Sequence, residues 1–294
     1  MKAMVTGGAG FIGTNLIKRL IKDGHDVISI DNYSTGLKKN KQNGCKYYRA
    51  DVRDNFWDLS LTDQCEVSCG CEIEEVDVIF HLAALARIQP SLKNPKSAME
   101  SNFNGTLNVL EYARKNDTPV IYAGSSSKHH GLYGSPYAWS KYGGEELCKL
   151  YSEVYDLNTT ICRFYNVYGP NQLEDGDYST VIGIFERQYR NNEPLTITAD
   201  GEQRRDFTHV NDIVDGLIKC SEHQFKAEFF ELGSGVNFSI NEVARMFGKN
   251  YPIKYIPARK GEYDMTLCDY SKVTEILGWT PKYNLEEYVK EVIK

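Results

Sequence analysis

Short apolar runs alternate with amphipathic stretches along the first half of the chain. Residues 2–6, 26–30, 46–50, 76–82, 119–123 and 158–164 read as strands. Between them Ile12, Leu16, Ile17, Leu20 and Ile21 recur at helical spacing, and the stripe stops near Gly24. Leu147, Leu150, Tyr151 and Val154 form a second stripe, on a helix starting near Pro136, and a third helix is expected over about residues 95–114. Strands alternating with helices predict a doubly wound α/β fold, a parallel sheet covered on both faces. After about Tyr168 the rhythm changes: strands at 195–198 and 228–233 stand alone, and an amphipathic helix over 285–293 ends the chain. The expected organisation is one domain over residues 1–168, with a returning segment near 206–233, and a smaller α/β domain over 169–294.

The segment Thr6-Gly7-Gly8-Ala9-Gly10-Phe11-Ile12-Gly13 joins the first strand to the first helix. Glycines at Gly7, Gly10 and Gly13 permit a tight turn, backbone approach to a pyrophosphate, and close helix–strand packing. The helix N-terminus then offers free N–H groups to phosphate. Asp31 ends the second strand, 18 residues after Gly13, and Asn32 follows it. A carboxylate there accepts the adenine ribose hydroxyls and repels a 2′-phosphate, which points to NAD, although Lys38 and Lys39 are cations of the kind a 2′-phosphate would need. Together these features predict a Rossmann-type cofactor domain, with Phe11 and Ile12 against the dinucleotide.

Composition narrows the function. The chain has 294 residues, 41% apolar and 25% charged, with a net charge of −6, which disfavours a nonspecific nucleic-acid binder. No apolar run approaches the roughly 20 residues of a membrane span. The start, Met1-Lys2-Ala3-Met4-Val5-Thr6, enters the glycine loop before a signal-peptide core could form, so a soluble cytoplasmic protein is expected. Of eight cysteines, Cys45, Cys148, Cys162 and Cys220 sit singly among apolar neighbours and suit buried thiols. Cys65, Cys69 and Cys71 cluster in a polar stretch without a fourth ligand or C-x-x-C spacing, so no metal is expected.

Further segments, in order along the chain, are Asp51-Val52-Arg53-Asp54, His81-Leu82-Ala83-Ala84, Ser125-Ser126-Ser127, Tyr137-Ala138-Trp139-Ser140-Lys141, Arg163-Phe164-Tyr165-Asn166-Val167-Tyr168-Gly169-Pro170, Arg205-Asp206-Phe207-Thr208-His209-Val210 and Leu277-Gly278-Trp279-Thr280-Pro281. With them the chain resembles an extended short-chain dehydrogenase/reductase of the nucleotide-sugar epimerase/dehydratase family, and most of all the UDP-hexose 4-epimerases. The resemblance implies NAD as cofactor, a nucleotide-sugar substrate and a homodimer paired through the helices near residues 95–114 and 136–155. It places Asp51 and Val52 near the adenine, His81 to Ala84 as the strand end lining the cofactor, and Asn102 behind the nicotinamide side. Tyr137 and Lys141 become the catalytic pair, with Ser125 orienting the sugar O4 and Ser126 or Ser127 as substitutes should the strand end shift. Asn166 approaches the substrate's phosphate, Arg205 and Arg259 clamp its diphosphate, and Thr266 borders the C2 substituent. Thr266 is small, so N-acetylated sugars are expected to fit.

The residue types agree with that chemistry. Tyr137 and Lys141 at i, i+4 share one helix face. A free tyrosine titrates near 10 and is a poor base at neutral pH, so an adjacent ammonium is a source of the field it needs. The pattern breaks in three places. Ser125 and Tyr137 are only 12 positions apart, joined through Lys128, His129 and His130 and shorter than the family's usual loop. Arg87 replaces a small residue. Ser126 and Ser127 stand where the 4,6-dehydratases carry Asp-Glu, which argues for oxidation and re-reduction at C4. A reductase, a uronic-acid decarboxylase and a non-catalytic NAD-binding regulator remain as alternatives.

Overall fold

The computed structural model describes residues 1–55 and 73–294, so Cys65, Cys69 and Cys71 lie outside the described residues. Its centre is a seven-stranded parallel sheet. The strands β1 (Lys2–Thr6), β2 (Asp26–Asp31), β3 (Cys45–Arg49), β4 (Val78–His81), β5 (Val120–Ser125) and β6 (Thr159–Phe164) match the sequence reading within a few residues. Two further short strands, β7 (Val167–Tyr168) and β8 (Leu195–Thr198), are followed by β9 (Arg204–Asp206), β10 (Thr208–His209), β11 (Lys226–Leu232), β12 (Asn237–Ser239) and β13 (Ile253–Ile256). The order across the sheet is β11-β6-β5-β4-β1-β2-β3, so the chain reverses direction of travel between β1 and β4. The other strands pair off two by two: β7 with β10, β9 with β12, and β8 with β13.

Side-chain alternation builds one core on each face. Ala3, Val5, Val27, Val78, Phe80, Ile121 and Cys162 pack with Leu16, Leu20, Ile213, Leu217 and Trp279. Their neighbours Met4, Ile28, Ile30, Ile79, Val120, Tyr122 and Ile161 pack the other way, with Val109, Leu110, Tyr112 and Tyr151. The first face is covered by α1 (Phe11–Lys22), which ends two residues before Gly24. The second is covered further along the chain. There α2 (Ile88–Lys93) and α3 (Pro95–Met99) lead through a π-helical turn, Glu100–Asn104, into α4 (Gly105–Lys115), and α5 is Pro136–Tyr155. The single helix expected over 95–114 is therefore interrupted by a turn whose carbonyl–amide bonds are re-spaced, a form often found at functional sites.

The remaining helices are α6 (Val181–Arg190), α7 (Val210–Ser221), α8 (Ile240–Met246), α9 (Ser271–Leu277) and α10 (Leu285–Val292). α7 returns to the first face and β11 to the sheet edge. A third cluster, including Tyr168, Phe185, Ile197, Phe207, Val243, Phe247 and Leu285, belongs to segments after β6. Cys148, Cys162, Cys220 and Cys268 are buried free thiols and Cys45 is half-buried, as expected for the four scattered singly. No described helix is long and apolar enough to cross a membrane, and no group of metal-ligating side chains occurs among the described residues.

Candidate active site

The cleft, about 790 Å³, runs along the carboxyl ends of β1, β2, β4 and β5, where an open α/β sheet holds its ligand. The glycine loop fits a dinucleotide. Gly7 has φ +73°, and a Cβ there would meet the Ala83 backbone at 2.9 Å; a Cβ on Gly13 would come within 2.3 Å of the Gly7 carbonyl. Gly10 caps α1 without a side chain, which leaves the first N–H groups of the helix to a phosphate. Asp31 is buried at the end of β2, and its carboxylate accepts the Ala9 N–H at 2.9 Å and the Tyr33 N–H at 2.7 Å. Burial raises its pKa and those two bonds oppose the rise. Two of its roughly four acceptor positions stay open for ribose hydroxyls. Lys38 and Lys39 do not line the cleft.

On the next strand, His81 is structural. It is buried with Nδ1 2.7 Å from Thr6 Oγ1 and Nε2 3.0 Å from Thr106 Oγ1, and burial pushes its pKa down to about 3. Leu82, Ala83 and Ala84 continue from it along the cleft wall. The π-helical turn delivers Asn102, whose amide accepts the Leu85 N–H at 2.8 Å and donates to the Leu85 carbonyl and to Ser140 Oγ. Asn102 thus pins the loop after β4 to α5 from behind.

Ser125 is the last residue of β5 and Tyr137 sits in the first turn of α5. The Tyr137 hydroxyl donates to Ser125 Oγ at 3.4 Å, and Ser127 Oγ donates to the same oxygen at 2.9 Å. Of the three serines, Ser125 is the one joined to the tyrosine. Lys141 is buried one turn on, with Nζ 4.3 Å from the centre of the Tyr122 ring. Burial draws its pKa down to about 8, and the Glu145 charge opposes that fall.

Across the cleft, Asn166 donates to the Asp206 carbonyl at 2.8 Å and to Thr266 Oγ1 at 3.1 Å. Arg205 and Arg259 also line the cleft. The described cleft therefore gathers Gly7, Gly10, Phe11, Ile12, Gly13, Asp31, Asn32, Val52, Leu82, Ala83, Ala84, Ser125, Ser126, Tyr137, Lys141, Asn166, Arg205, Arg259 and Thr266. Asp51 and Asn102 stand outside its lining; the Asp51 carboxylate accepts from Arg53 at 2.7 Å and Asn32 at 2.7 Å. His129 is turned away as well, with Nε2 2.8 Å from Glu231 Oε1, and the His130 side chain lies outside the described residues. Arg87, Tyr178, Glu262 and Tyr263 are among further lining residues that were not singled out as ligands from the sequence.

The sequence profile of the NAD dependent epimerase/dehydratase family matches residues 3–233. The chain belongs to that family. It is 33% identical to a UDP-glucuronate 4-epimerase of Thermodesulfobacterium geofontis, over 99% of this chain and 94% of the relative. It is 31% identical to a UDP-N-acetyl-alpha-D-glucosaminuronate decarboxylase of Bacillus cytotoxicus, over 100% and 97%. Its structure is similar to that of the UDP-glucose 4-epimerase of Thermotoga maritima crystallised with UDP-glucose, with a TM-score of 0.89, 30% identity and coverage of 100% and 97%. As an epimerase/dehydratase family member the protein is an NAD-dependent nucleotide-sugar enzyme, and the glycine loop and Asp31 fit that cofactor.

Proposed function

We propose that the protein is a UDP-hexose 4-epimerase working through a transient 4-keto sugar, with Ser125, Tyr137 and Lys141 as its catalytic group. The observation that carries the reading is the Tyr137–Ser125 hydroxyl pair beside a buried lysine, at the strand ends where the nicotinamide belongs. NAD, when bound, supplies the acceptor and donor for the C4 hydride. Tyr137 takes the O4 proton as the hydride leaves and returns it afterwards, a task within the reach of general acid–base catalysis. Ser125 holds O4 in line. The Lys141 ammonium favours negative charge at the tyrosine oxygen. Arg205, Arg259 and Asn166 bind the diphosphate from the opposite wall, and Thr266, its hydroxyl engaged by Asn166 and the Asp206 N–H, leaves room for an N-acetyl group at C2.

Two further observations support epimerisation. Ser126 and Ser127 provide no carboxylate for elimination of the 6-hydroxyl, and one relative is a 4-epimerase. The decarboxylase relative keeps loss of CO₂ from a uronic acid as the second reading. The third hydrophobic cluster supports a smaller substrate domain drawn mainly from residues 169–294, while α7, β11 and Trp279 return to the Rossmann sheet. Exposed Leu150 and Val154 on α5 support a homodimer, while Val109, Tyr112 and Tyr151 are spent in the chain's own core. A cytoplasmic location is part of the same reading.

The test is incubation of the NAD-loaded protein with UDP-, GDP-, dTDP- and ADP-sugars in D₂O, with chromatographic product analysis. The expected product is a C4 epimer of a UDP-sugar carrying no deuterium at C4. Deuterium at C4, a dehydrated keto-sugar, or NAD binding with no turnover of any sugar overturns the reading.

A further inference from the structure

Arg87 follows the β4 strand end by six residues and lines the cleft. Its backbone has φ +136°, a conformation that side-chain-bearing residues adopt only when their surroundings force it and that concentrates at ligand sites. The forcing is visible. Asn102 grips both backbone groups of Leu85, and α2 begins at Ile88, so the intervening residues have little freedom. The guanidinium is fixed at one point, where Nε donates to the Tyr178 carbonyl at 3.3 Å. The four N–H donors of its two terminal nitrogens remain, and among the described residues no carboxylate pairs with them.

Arg163 shows what a structural arginine looks like in this fold. It is fully buried, where Arg87 is half-buried, and Glu145 and Glu231 hold it at 2.7 and 2.8 Å. A cation half withdrawn from water without such a counter-charge is left seeking an anion. Burial lowers the Arg87 pKa, and the ionisable neighbour acting against that is the Tyr137 phenol. Arg87 also borders a side pocket of about 40 Å³ next to Asn166 and Thr180.

We infer that Arg87 is the recognition group for an acidic sugar, its free guanidinium edge pairing with the carboxylate of a nucleotide-activated hexuronate. The inference rests on the functional reading above, since it takes Tyr137 to face O4. On a pyranose ring the carbon bearing C6 is bonded to C4, so a carboxylate at C6 falls beside the reacting hydroxyl. The diphosphate already has two cations of the cleft lining, Arg205 and Arg259, to answer its charge. A planar guanidinium with two parallel N–H groups matches a carboxylate in a way an ammonium does not.

The experiment compares kcat/KM for UDP-glucuronate and UDP-glucose with the full chain and NAD, counting any product formed. The wild type is expected to favour UDP-glucuronate at least ~10-fold, the scale of a charge-assisted hydrogen bond. Arg87→Gly suits the positive φ and is expected to lower the uronate-to-glucose ratio by roughly 10- to 100-fold. Arg87→Lys, which keeps the charge without the fork, is expected to fall in between. Equal loss for both substrates in Arg87→Gly overturns the inference, because Arg87 then acts on Tyr137 or on the loop. Turnover of UDP-glucose without preference for UDP-glucuronate in the wild type overturns it while leaving the epimerase reading intact. Inertness toward both overturns the functional reading with it.

Discussion

Glu145→Gln tests how the charges beneath the site set its working pH. Glu145 lies on α5 one turn after Lys141, fully buried and forked onto Arg163, whose Nε and terminal nitrogen approach it at 2.7–3.1 Å. Burial draws Lys141 down to about 8, and the Glu145 charge is the main opposing influence. Helix positions four apart hold their Cβ atoms about 5–6 Å from each other. A unit charge at about 6 Å, with an effective dielectric constant of about 20, is worth about 3 kcal/mol or about two pK units. Removing it therefore moves the Lys141 pKa further down from about 8. Arg163 keeps Glu231 at 2.8 Å, so the variant does not strand its arginine. The assay is the pH dependence of kcat/KM, whose alkaline limb reports loss of the Lys141 proton in the free enzyme. The sign is definite: the neutral amide no longer favours the ammonium, so the limb shifts to lower pH. At pH 8 the variant is expected to run roughly 5- to 50-fold slower than the parent, and to approach it on the acid side. A lowered plateau with the alkaline limb unmoved refutes the reasoning.

Tyr137→Phe is expected to cut kcat by ~10²- to ~10⁴-fold while UDP affinity, measured by calorimetry, stays close to the parent value. Asp31→Ala is expected to weaken NAD by about 1–3 kcal/mol in fluorescence titration and to narrow its advantage over NADP; equal affinities in the parent contradict the role given to Asp31. Glu186 is buried against Gln172, and burial raises its carboxyl to about 7, so the native state keeps a proton that the unfolded chain has lost. Stability then falls as pH rises from about 4.5 through 7, and Glu186→Gln is expected to gain about 1–3 kcal/mol over the parent in urea unfolding at pH 8 but little at pH 5. An identical difference at both pH values contradicts it.

The sheet was legible because parallel strands covered on both faces are unbroken apolar runs, and six of them were placed within a few residues. Ser125 emerged from counting along β5, and the Tyr137 hydroxyl lies 3.4 Å from its oxygen. α6 to α9 were not foreseen, although Val210, Ile213, Val214 and Leu217 carry a helical stripe; their region read instead as isolated strands and loops. The π-helical turn has no sequence signature, because re-spacing one hydrogen bond leaves the apolar pattern unchanged. Local pattern also hides the Glu145–Arg163–Glu231 cluster, whose members lie 18 and 68 positions apart. The same cluster explains His129: the half-buried Glu231 pairs with the imidazole at 2.8 Å and holds it out of the cleft.

The position of β11 has a practical consequence for anyone wishing to work with less than the whole chain. The sheet's outer strand is contributed by Lys226–Leu232, and α7 supplies Ile213, Val214 and Leu217 to the packing on one face. Trp279, wholly enclosed in that same packing, donates its indole N–H to the Asp212 carbonyl at 3.0 Å. A fragment ending at Tyr168 would carry the glycine loop and the Tyr137–Lys141 helix, yet expose the flank of β6 and half of an apolar layer. Such a piece should aggregate rather than bind a dinucleotide. Shortened versions of this protein are better sought by deleting surface loops between elements than by cutting the chain in two.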